Sequence, residues 1–283
     1  MQAPGEHHRG IAFVFPGQGS QHVGMGRGLV EHSPAARAVF AQADDTLGFS
    51  LSKLCFEGPD DTLRDTINAQ PAILTMSIAC LEALREKLGA AEQIVRPRLV
   101  AGHSLGEYSA LVAADVLDFS TAVKLVRERG RLMKESGEST PGGMAAVIGL
   151  KPDILEEVCR QAREKGIVCA ANYNTPTQTV ISGELAALSA AIELAVANGA
   201  QRVIRLAVSI AAHSPLMQRA SDQFSEVIGL LRWQDAYIPI VSDISARVLV
   251  SADEIRTELS RQLYSSVRWP DAVRQMLGAG VTT

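Results

Sequence analysis

The sequence predicts an α/β fold in which parallel strands alternate with helices and a smaller β-α-β-β-α-β subdomain is inserted. Three observations lead to this prediction: two unbroken apolar runs that end at glycine turns, helix-period segments between them, and a change of pattern after Pro141-Gly-Gly143. Apolar residues make up 47% of the 283 residues and charged residues 20%, which indicates a globular chain with a sizeable core and argues against disorder.

The two apolar runs are the predicted parallel strands. Ile11 to Phe15 ends at Pro16-Gly17, and Leu99 to Ala101 ends at Gly102. Uninterrupted apolar runs are typical of strands buried on both faces of a parallel sheet. Apolar residues at helical spacing predict helices over 72–88 and 121–134. Residues 1–136 and 209–283 are therefore predicted to form one α/β domain.

The inserted subdomain is predicted to span residues 137–208. Met144 to Leu150 is strand-like, and an amphipathic helix follows over 153–165. Short strands over 167–171 and 179–182 flank the turn-rich Asn172 to Pro176, and a helix over 184–198 leads to a last strand over 202–208. This order is that of the split βαβ, or ferredoxin-like, unit.

Composition narrows the possible partners and the compartment. A net charge of −4 indicates that the whole molecule is no polyanion binder, so any basic docking site must be a local patch. We expect no nucleic-acid partner and no membrane partner, because the apolar runs are shorter than the roughly 20 residues that a membrane span needs. The first nine residues are expected to form a loose tail. The cysteines show no metal-ligand or paired spacing, which favours reduced thiols and a cytoplasmic protein: Cys55, Cys80, Cys159 and Cys169.

A candidate nucleophile lies in Gly102-His-Ser-Leu-Gly106, a G-x-S-x-G match. The pattern needs small residues because its serine lies on a strained turn between a strand and a helix. Ser104 has this context, since an apolar strand precedes it and a helix with one apolar face follows. The alternative is a glycine-flanked turn in which Ser104 only caps the helix.

His213 is the histidine best placed to act as a general base for Ser104. It follows the last predicted strand of the insert, where the chain returns to the larger domain, whereas the other histidines lie in the tail, near the N-terminus or beside the serine. A triad acid is not identifiable, because none of the aspartates between the two residues follows an evident strand end: Asp115, Asp118 and Asp153. A dyad whose histidine is oriented by backbone carbonyls is equally open.

The turn Phe15-Pro-Gly-Gln-Gly-Ser-Gln21 is a candidate anion site. Its glycines allow backbone N–H groups to approach a ligand, and it follows a strand as the serine turn does. The N–H groups of Gln18 and Leu105 are therefore predicted to form an oxyanion hole. The alternative is a tight turn without a ligand. The helix over 121–134 is rich in Arg and Lys, which favours a solvated face, although one arginine aimed inward would bind a carboxylate in a bidentate manner.

Several motifs together resemble one known family. They are FPGQGSQ, AQPAI, AGHSLGEYSAL, RERGRLM, NYNTPTQTVISG and the strand that leads into His213-Ser-Pro-Leu-Met217. In order and spacing they are similar to the malonyl-CoA:acyl-carrier-protein transacylases of fatty acid synthesis, and also to the acyltransferase domains of polyketide synthases. The resemblance runs from about residue 10 to the end of the chain, and the combination is far more specific than G-x-S-x-G alone.

The resemblance implies a hydrolase-like parallel-sheet domain with an inserted ferredoxin-like subdomain. It implies Ser104 as nucleophile, His213 as its base, and an oxyanion hole made by the N–H groups of Gln18 and Leu105. Arg129, matched through RERGR, would bind the malonyl carboxylate. Asn172 and Asn174 match positions that line the thioester side of the cleft. The histidine would be held by backbone carbonyls, one of them within 262–269.

The implied reaction is ping-pong transfer of malonyl from a coenzyme A thioester to the phosphopantetheine thiol of acyl carrier protein. No metal or redox cofactor is implied. Because carrier proteins are acidic, four cations are candidate docking charges: Lys124, Arg127, Arg131 and Lys134. Three alternatives remain open: a stand-alone or excised polyketide acyltransferase, a serine thioesterase with water as acceptor, and an inactive module that only docks carrier proteins. Ile210-Ala-Ala-His213 matches neither pattern that separates malonyl- from methylmalonyl-selective polyketide domains, so α-carbon selectivity stays open.

Overall fold

A computed structural model describes residues 10–89 and 96–283, so the predicted tail over 1–9 lies outside the described residues. The strands are β1 (Ala12–Phe15), β2 (Leu99–Gly102), β3 (Gly142–Ile148), β4 (Val168–Thr175), β5 (Gln178–Glu184), β6 (Arg202–Arg205), β7 (Ile240–Val241), β8 (Val248–Leu249) and β9 (Val267–Arg268). The helices are α1 (Arg27–His32), α2 (Pro34–Leu47), α3 (Leu51–Glu57), α4 (Asp60–Arg64), α5 (Thr66–Leu88), α6 (Gly106–Ala113), α7 (Phe119–Ser139), α8 (Pro152–Ala162), α9 (Leu185–Ala197), α10 (Gln218–Leu230), α11 (Ala252–Gln262) and α12 (Trp269–Gly278).

The first sheet has the order β1-β2-β7-β8. β1, β2 and β7 run parallel, and β8 pairs antiparallel with β7. Apolar residues of this sheet face the main core on one side, together with those of α5, α6 and α7. On the other side Leu99, Ala101 and Val241 pack against α12. The predicted α/β class, with helices covering both faces of a parallel sheet, is confirmed.

The carboxyl ends of the three parallel strands meet at one edge of this sheet. Phe15 is in register with Gly102, and Ala101 with Val241. The loop after β1, the serine turn after β2 and the Ser242-Asp243 segment after β7 therefore leave the sheet side by side. Open α/β sheets bind ligands at this edge.

The second sheet has the order β6-β3-β5-β4-β9. β3, β4, β5 and β6 are antiparallel neighbours, and α8 and α9 cover one face with a separate small core. This is the arrangement of a ferredoxin-like unit. β9 comes from the larger domain and pairs parallel with β4, so the second sheet extends into the larger domain.

Two sequence predictions for the insert are corrected. The residues predicted as a turn-rich segment from Asn172 belong to β4 as far as Thr175, with the turn at the next two residues. The pairing of β4 with β5 carries register shifts after Ala170 and after Tyr173, and such irregularities accommodate residues that usually mark turns. The last strand ends at Arg205 and does not continue to Val208.

Helix α5 combines length with high hydropathy. It is long and apolar enough to cross a membrane by these measures alone, but 61% of its most apolar window is buried inside the fold. It packs between α2 and α7 in the main core. Its apolar character is therefore that of a core helix.

Candidate active site

The serine turn depends on two glycines that allow the backbone to pass within contact distance of itself. A Cβ atom on Gly102 would lie 1.9 Å from the carbonyl carbon of Gly106, and one on Gly106 would lie 2.2 Å from the carbonyl oxygen of Phe15. Ser104 between them has φ +51°, a left-handed conformation that is strained for a residue with a side chain. The turn thus presents Ser104 at the carboxyl edge of the sheet, as the G-x-S-x-G pattern predicts.

Ser104 and His213 face each other at hydrogen-bond distance. The Oγ atom of Ser104 lies 2.8 Å from Nε2 of His213. On the other side of the ring, Nδ1 lies 3.0 Å from the carbonyl oxygens of both Gln262 and Ser265. Since carbonyl oxygens only accept, Nδ1 carries the proton and Nε2 is free to accept one from the serine hydroxyl. The histidine is oriented by backbone carbonyls, as the resemblance implies.

Burial keeps His213 neutral. The residue is 3% exposed, and desolvation, followed by the nearby charges of Arg129 and His103, lowers the pKa of His213 to about 3. Hydrogen bonds to the carbonyls of Ser265 and Gln262 oppose this shift. The imidazole is therefore in its basic form throughout the neutral pH range, which a general base requires.

Arg129 is the inward arginine of α7. It is 1% exposed, and its Nη2 atom lies 3.2 Å from Oγ of Ser104. Its other contacts are neutral: Nη1 donates to Oε1 of Gln70 at 3.0 Å, and Nη2 donates to Oε1 of Gln262 at 3.1 Å. Its Nε atom is buried with no partner in the described part of the chain. A guanidinium held by neutral groups beside the serine is suited to receive a carboxylate.

Gln18 and Leu105 belong to the two segments that leave the neighbouring strands β1 and β2 side by side. Gln18 is exposed in the loop after β1, and its Oε1 accepts from Oγ1 of Thr66 at 3.1 Å. Thr66 in turn accepts from Gln70, the partner of Arg129. Within residues 10–89 and 96–283, the N–H groups of Gln18 and Leu105 have no protein acceptor. Both N–H groups are therefore available to a ligand, as an oxyanion hole requires.

Asn172 and Asn174 lie on β4, and Asn174 contacts the serine turn through His103. Asn174 Oδ1 lies 2.9 Å from Nε2 of His103, which also contacts the Trp269 ring at a centroid distance of 5.7 Å. The side chain of His103 is thus engaged by Asn174 and Trp269. Asn172 is 7% exposed, and its Oδ1 is buried without a partner among the described residues. A buried amide with a free acceptor is suited to a polar ligand group.

Sequence reasoning missed Asp243. Its Oδ2 accepts from the backbone N–H of Ser104 at 2.6 Å, so this N–H is not available to an oxyanion. The hydrolase pattern places a triad acid between Ser104 and His213 in chain order, whereas Asp243 follows His213 and contacts the serine backbone rather than the imidazole. The signal was present: a short apolar run over 238–241 ends at Ser242-Asp243, the same strand-end pattern that located Ser104.

The predicted docking charges of α7 are largely paired within the protein. Arg131 forms ion pairs with Glu128 and Glu135, and Lys134 pairs with Asp65 at 2.5 Å. The Arg127 guanidinium lies over the ring of Phe49 and donates to Asn68 at 3.2 Å. Lys124 is exposed and has no ion pair among the described residues. The set therefore offers a carrier protein much less free positive charge than its sequence suggests.

Comparison with known proteins shows which family this chain resembles. Residues 12–282 match the family model for the acyl transferase domain. A malonyl CoA-acyl carrier protein transacylase of Bacillus subtilis (strain 168) is 46% identical over 274 residues, covering 96% of this chain and 84% of the relative. The transacylase of Escherichia coli (strain K12) is 40% identical over 271 residues, covering 96% and 86%.

Solved structures with a similar fold are also malonyl transferases. An acyl carrier protein S-malonyltransferase from Vibrio cholerae matches with a TM-score of 0.90 and 39% identity, covering 96% of this chain and 87% of that one. A malonyl-transacylase in complex with a type II polyketide synthase acyl carrier protein matches with a TM-score of 0.92 and 40% identity, covering 96% and 86%. Because the matches cover nearly the whole chain at 40–46% identity to two curated relatives, the chain belongs to the acyl transferase family, among the malonyl CoA-acyl carrier protein transacylases.

Proposed function

We propose that this enzyme transfers a malonyl group from malonyl-CoA to the phosphopantetheine thiol of acyl carrier protein in fatty acid synthesis. The main support for this proposal is the position of Arg129, which is buried and whose Nη2 atom lies 3.2 Å from the Ser104 hydroxyl. A buried cation so close to the nucleophile selects an acyl group that bears its own carboxylate near the reacting carbonyl. A malonyl group has such a carboxylate, whereas an acetyl group does not.

In the first half-reaction Ser104 Oγ attacks the thioester carbonyl while Nε2 of His213 takes its proton. The carbonyl oxygen becomes an oxyanion that accepts from the N–H groups of Gln18 and Leu105. The carbon–sulfur bond then breaks, and His213 returns the proton to the departing coenzyme A thiolate. The products are malonyl-Ser104 and free coenzyme A, and His213 is again neutral.

In the second half-reaction a phosphopantetheine thiol attacks the acyl-serine. His213 takes the thiol proton and returns it to Ser104 as the carbon–oxygen bond breaks, so the enzyme is regenerated. By the family resemblance, Asn172 and Asn174 would line the thioester side of the cleft. The chemistry is acyl transfer between oxygen and sulfur, which needs no metal and no redox cofactor, and the free thiols fit a cytoplasmic setting.

The choice of acceptor separates this function from that of a thioesterase. Malonyl-enzyme is formed with malonyl-CoA, freed of coenzyme A, and chased with holo acyl carrier protein or with apo carrier, which lacks the thiol. We expect holo carrier to clear the acyl group at least about 100-fold faster than buffer or apo carrier does. Clearance at one rate in all three would indicate water as the acceptor and overturn the proposal.

A polyketide carrier is a second candidate acceptor. The observation that favours it is the match to a malonyl-transacylase bound to a type II polyketide carrier. Chasing the malonyl-enzyme with a fatty acid carrier and a type II polyketide carrier at equal concentration compares the two. We expect the fatty acid carrier to react faster, and a preference of about tenfold for the polyketide carrier would assign the enzyme to that pathway.

A further inference from the structure

Two acidic residues are buried directly behind the serine turn. Glu107 is 3% exposed on the first turn of α6, and Asp243 is fully buried after β7. Their carboxyl groups lie close together, because both approach the Nε2 atom of Gln262, and Asp243 also accepts the Ser104 N–H at 2.6 Å. Two such carboxyl groups can form a mutual hydrogen bond only if one of them holds a proton.

Gln262 links this pair to the reactive groups. Its Nε2 atom donates to Oε2 of Glu107 at 2.5 Å and to the carbonyl oxygen of Ser104 at 3.1 Å, and lies 3.4 Å from both Asp243 oxygens. Its Oε1 accepts from Arg129 at 3.1 Å, and its backbone oxygen accepts from His213 at 3.0 Å. One side chain thus lies between the buried cation and the buried acids.

The positive charge of Arg129 accounts for a pair of buried acids nearby. Arg129 is a fully buried cation with no carboxylate in direct contact among the described residues, and an uncompensated buried charge is costly. A pair with one proton carries a single negative charge, one glutamine away. Two ionised carboxylates would repel each other and exceed the charge of Arg129, whereas two protonated ones would leave it unbalanced.

We propose that Glu107 and Asp243 are a positioning pair that shares one proton, with a single negative charge that balances Arg129 and fixes the Ser104 turn through Gln262. The pair does not touch the substrate. It holds the Ser104 N–H directly and, through the Gln262 side chain, the guanidinium of Arg129 beside the reacting serine. This inference rests on the proposed function only for the role of these reactive groups.

The groups that face the pair come from several elements. Glu258 of α11 is a negative neighbour, His103 lies at the serine turn, and Tyr108 of α6 and Arg129 of α7 pack alongside. Burial, followed by the charge of Asp243, raises the pKa of Glu107 well above its ordinary value. Burial likewise raises the pKa of Asp243, while its hydrogen bond from Glu107 opposes the rise.

The test measures folding stability against pH, which needs no activity. At neutral pH the unfolded chain ionises both acids, so folding takes up one proton. Because the folded pKa is raised, the stability due to this pair is full below about pH 4.3 and is lost as pH rises. Glu107→Gln and Asp243→Asn each keep one negative charge and the hydrogen bonds, but abolish the proton uptake.

Urea unfolding of the full chain at pH 6, 7 and 8 compares each variant with the wild type. We expect the ratio of folding constants, variant over wild type, to rise about tenfold per pH unit for both single variants. The control is Glu193→Gln, an exposed acid on α9 of the inserted subdomain, whose ratio should be flat. A flat ratio for Glu107→Gln would show that the pair shares no proton and would overturn the proposal.

The double variant tests the counter-charge. Glu107→Gln with Asp243→Asn removes the last negative charge beside Arg129, so the loss in malonyl-serine formation should exceed the product of the two single losses by at least about tenfold. Added sodium malonate should raise the melting temperature of the double variant more than that of the wild type, because the anion supplies the missing charge. Multiplicative losses together with equal malonate shifts would overturn the counter-charge role, even if acyl transfer itself is confirmed.

Discussion

Nη2 of Arg129 lies 3.2 Å from Oγ of Ser104 in a site where the arginine is 1% exposed. The guanidinium therefore lies beside the region into which the acyl chain of a substrate at Ser104 is expected to extend. We expect a carboxylate two bonds from the reacting carbonyl to reach this guanidinium, whose Nε atom has no partner among the described residues.

Arg129→Ala should change selectivity more than it changes chemistry. Loss of about 3–4 kcal/mol of charge-assisted hydrogen bonding predicts a fall in kcat/KM for malonyl-CoA of at least about 100-fold, with a much smaller loss for acetyl-CoA. The measurement is serine acylation with each thioester. Arg127→Ala, two residues away on α7 and facing Phe49 and Asn68, is the matched control and should affect both thioesters alike. Equal losses in Arg129→Ala would refute the carboxylate role.

The pH dependence of acylation should follow His213. Burial and the charge of Arg129 lower its pKa to about 3, so the imidazole remains a base well below neutrality. Acylation by the wild type is expected to be nearly flat from pH 7 down to about pH 5. Removal of the cation in Arg129→Met should raise the pKa of His213 and move the acid limb to higher pH.

Single-turnover acylation with acetyl-CoA across pH 4–8 measures this limb in both proteins. Acetyl-CoA is chosen because it brings no carboxylate of its own. An acid limb at the same pH in wild type and Arg129→Met would contradict the electrostatic coupling between Arg129 and His213.

Gln262→Ala separates two functions of one residue. The backbone carbonyl that orients His213 remains, whereas the side-chain bonds to Arg129, Glu107 and the Ser104 carbonyl are lost. Buried groups left without partners cost about 1–3 kcal/mol each, which predicts a 10- to 100-fold loss of acylation rate. The acid limb should stay in place, and a shift toward pH 6.5 would show that the side chain also holds the imidazole.

Gly106→Ala should destabilise the fold. The added Cβ would lie 2.2 Å from the carbonyl oxygen of Phe15, and the neighbouring atoms are backbone that cannot move aside. We expect a loss of about 3 kcal/mol or more in unfolding free energy. Gly28→Ala in α1 is the control, because nothing lies within 4 Å of its Cβ position, and it should stabilise by about 0.5–1 kcal/mol. Comparable urea midpoints for the two variants would contradict this account of the turn.

Local sequence patterns predicted the parts of this site that are formed by residues close together in the chain. The glycine spacing around Ser104, the strand before it and the helix after it lie within one stretch of chain, so the serine turn follows from the sequence. The position of His213 follows from the insert boundary. The roles of Arg129, Asn172 and Asn174 came from the family resemblance, because helical spacing alone cannot tell which arginine of α7 faces inward.

The rest depends on long-range pairing. Asp243 reaches Ser104 only because β7 lies beside β2, and a two-residue strand gives little periodicity to detect. Asn172 and Asn174 belong to β4 although asparagine favours turns, because pairing with β5 outweighs local preference. Sequence also cannot show that Arg131 and Lys134 of α7 are already paired with acids, or that Arg127 lies over the ring of Phe49.

Ser104 is the residue proposed to carry the malonyl group between the two thiols. Incubation with malonyl-CoA, an acid quench and intact-mass analysis of the whole chain test this role most directly, with Ser104→Ala and the neighbouring Ser109→Ala as matched variants. We predict one malonyl adduct on the wild type and on Ser109→Ala, and none on Ser104→Ala. A wild type without the adduct, or an adduct that persists in Ser104→Ala, would contradict the account.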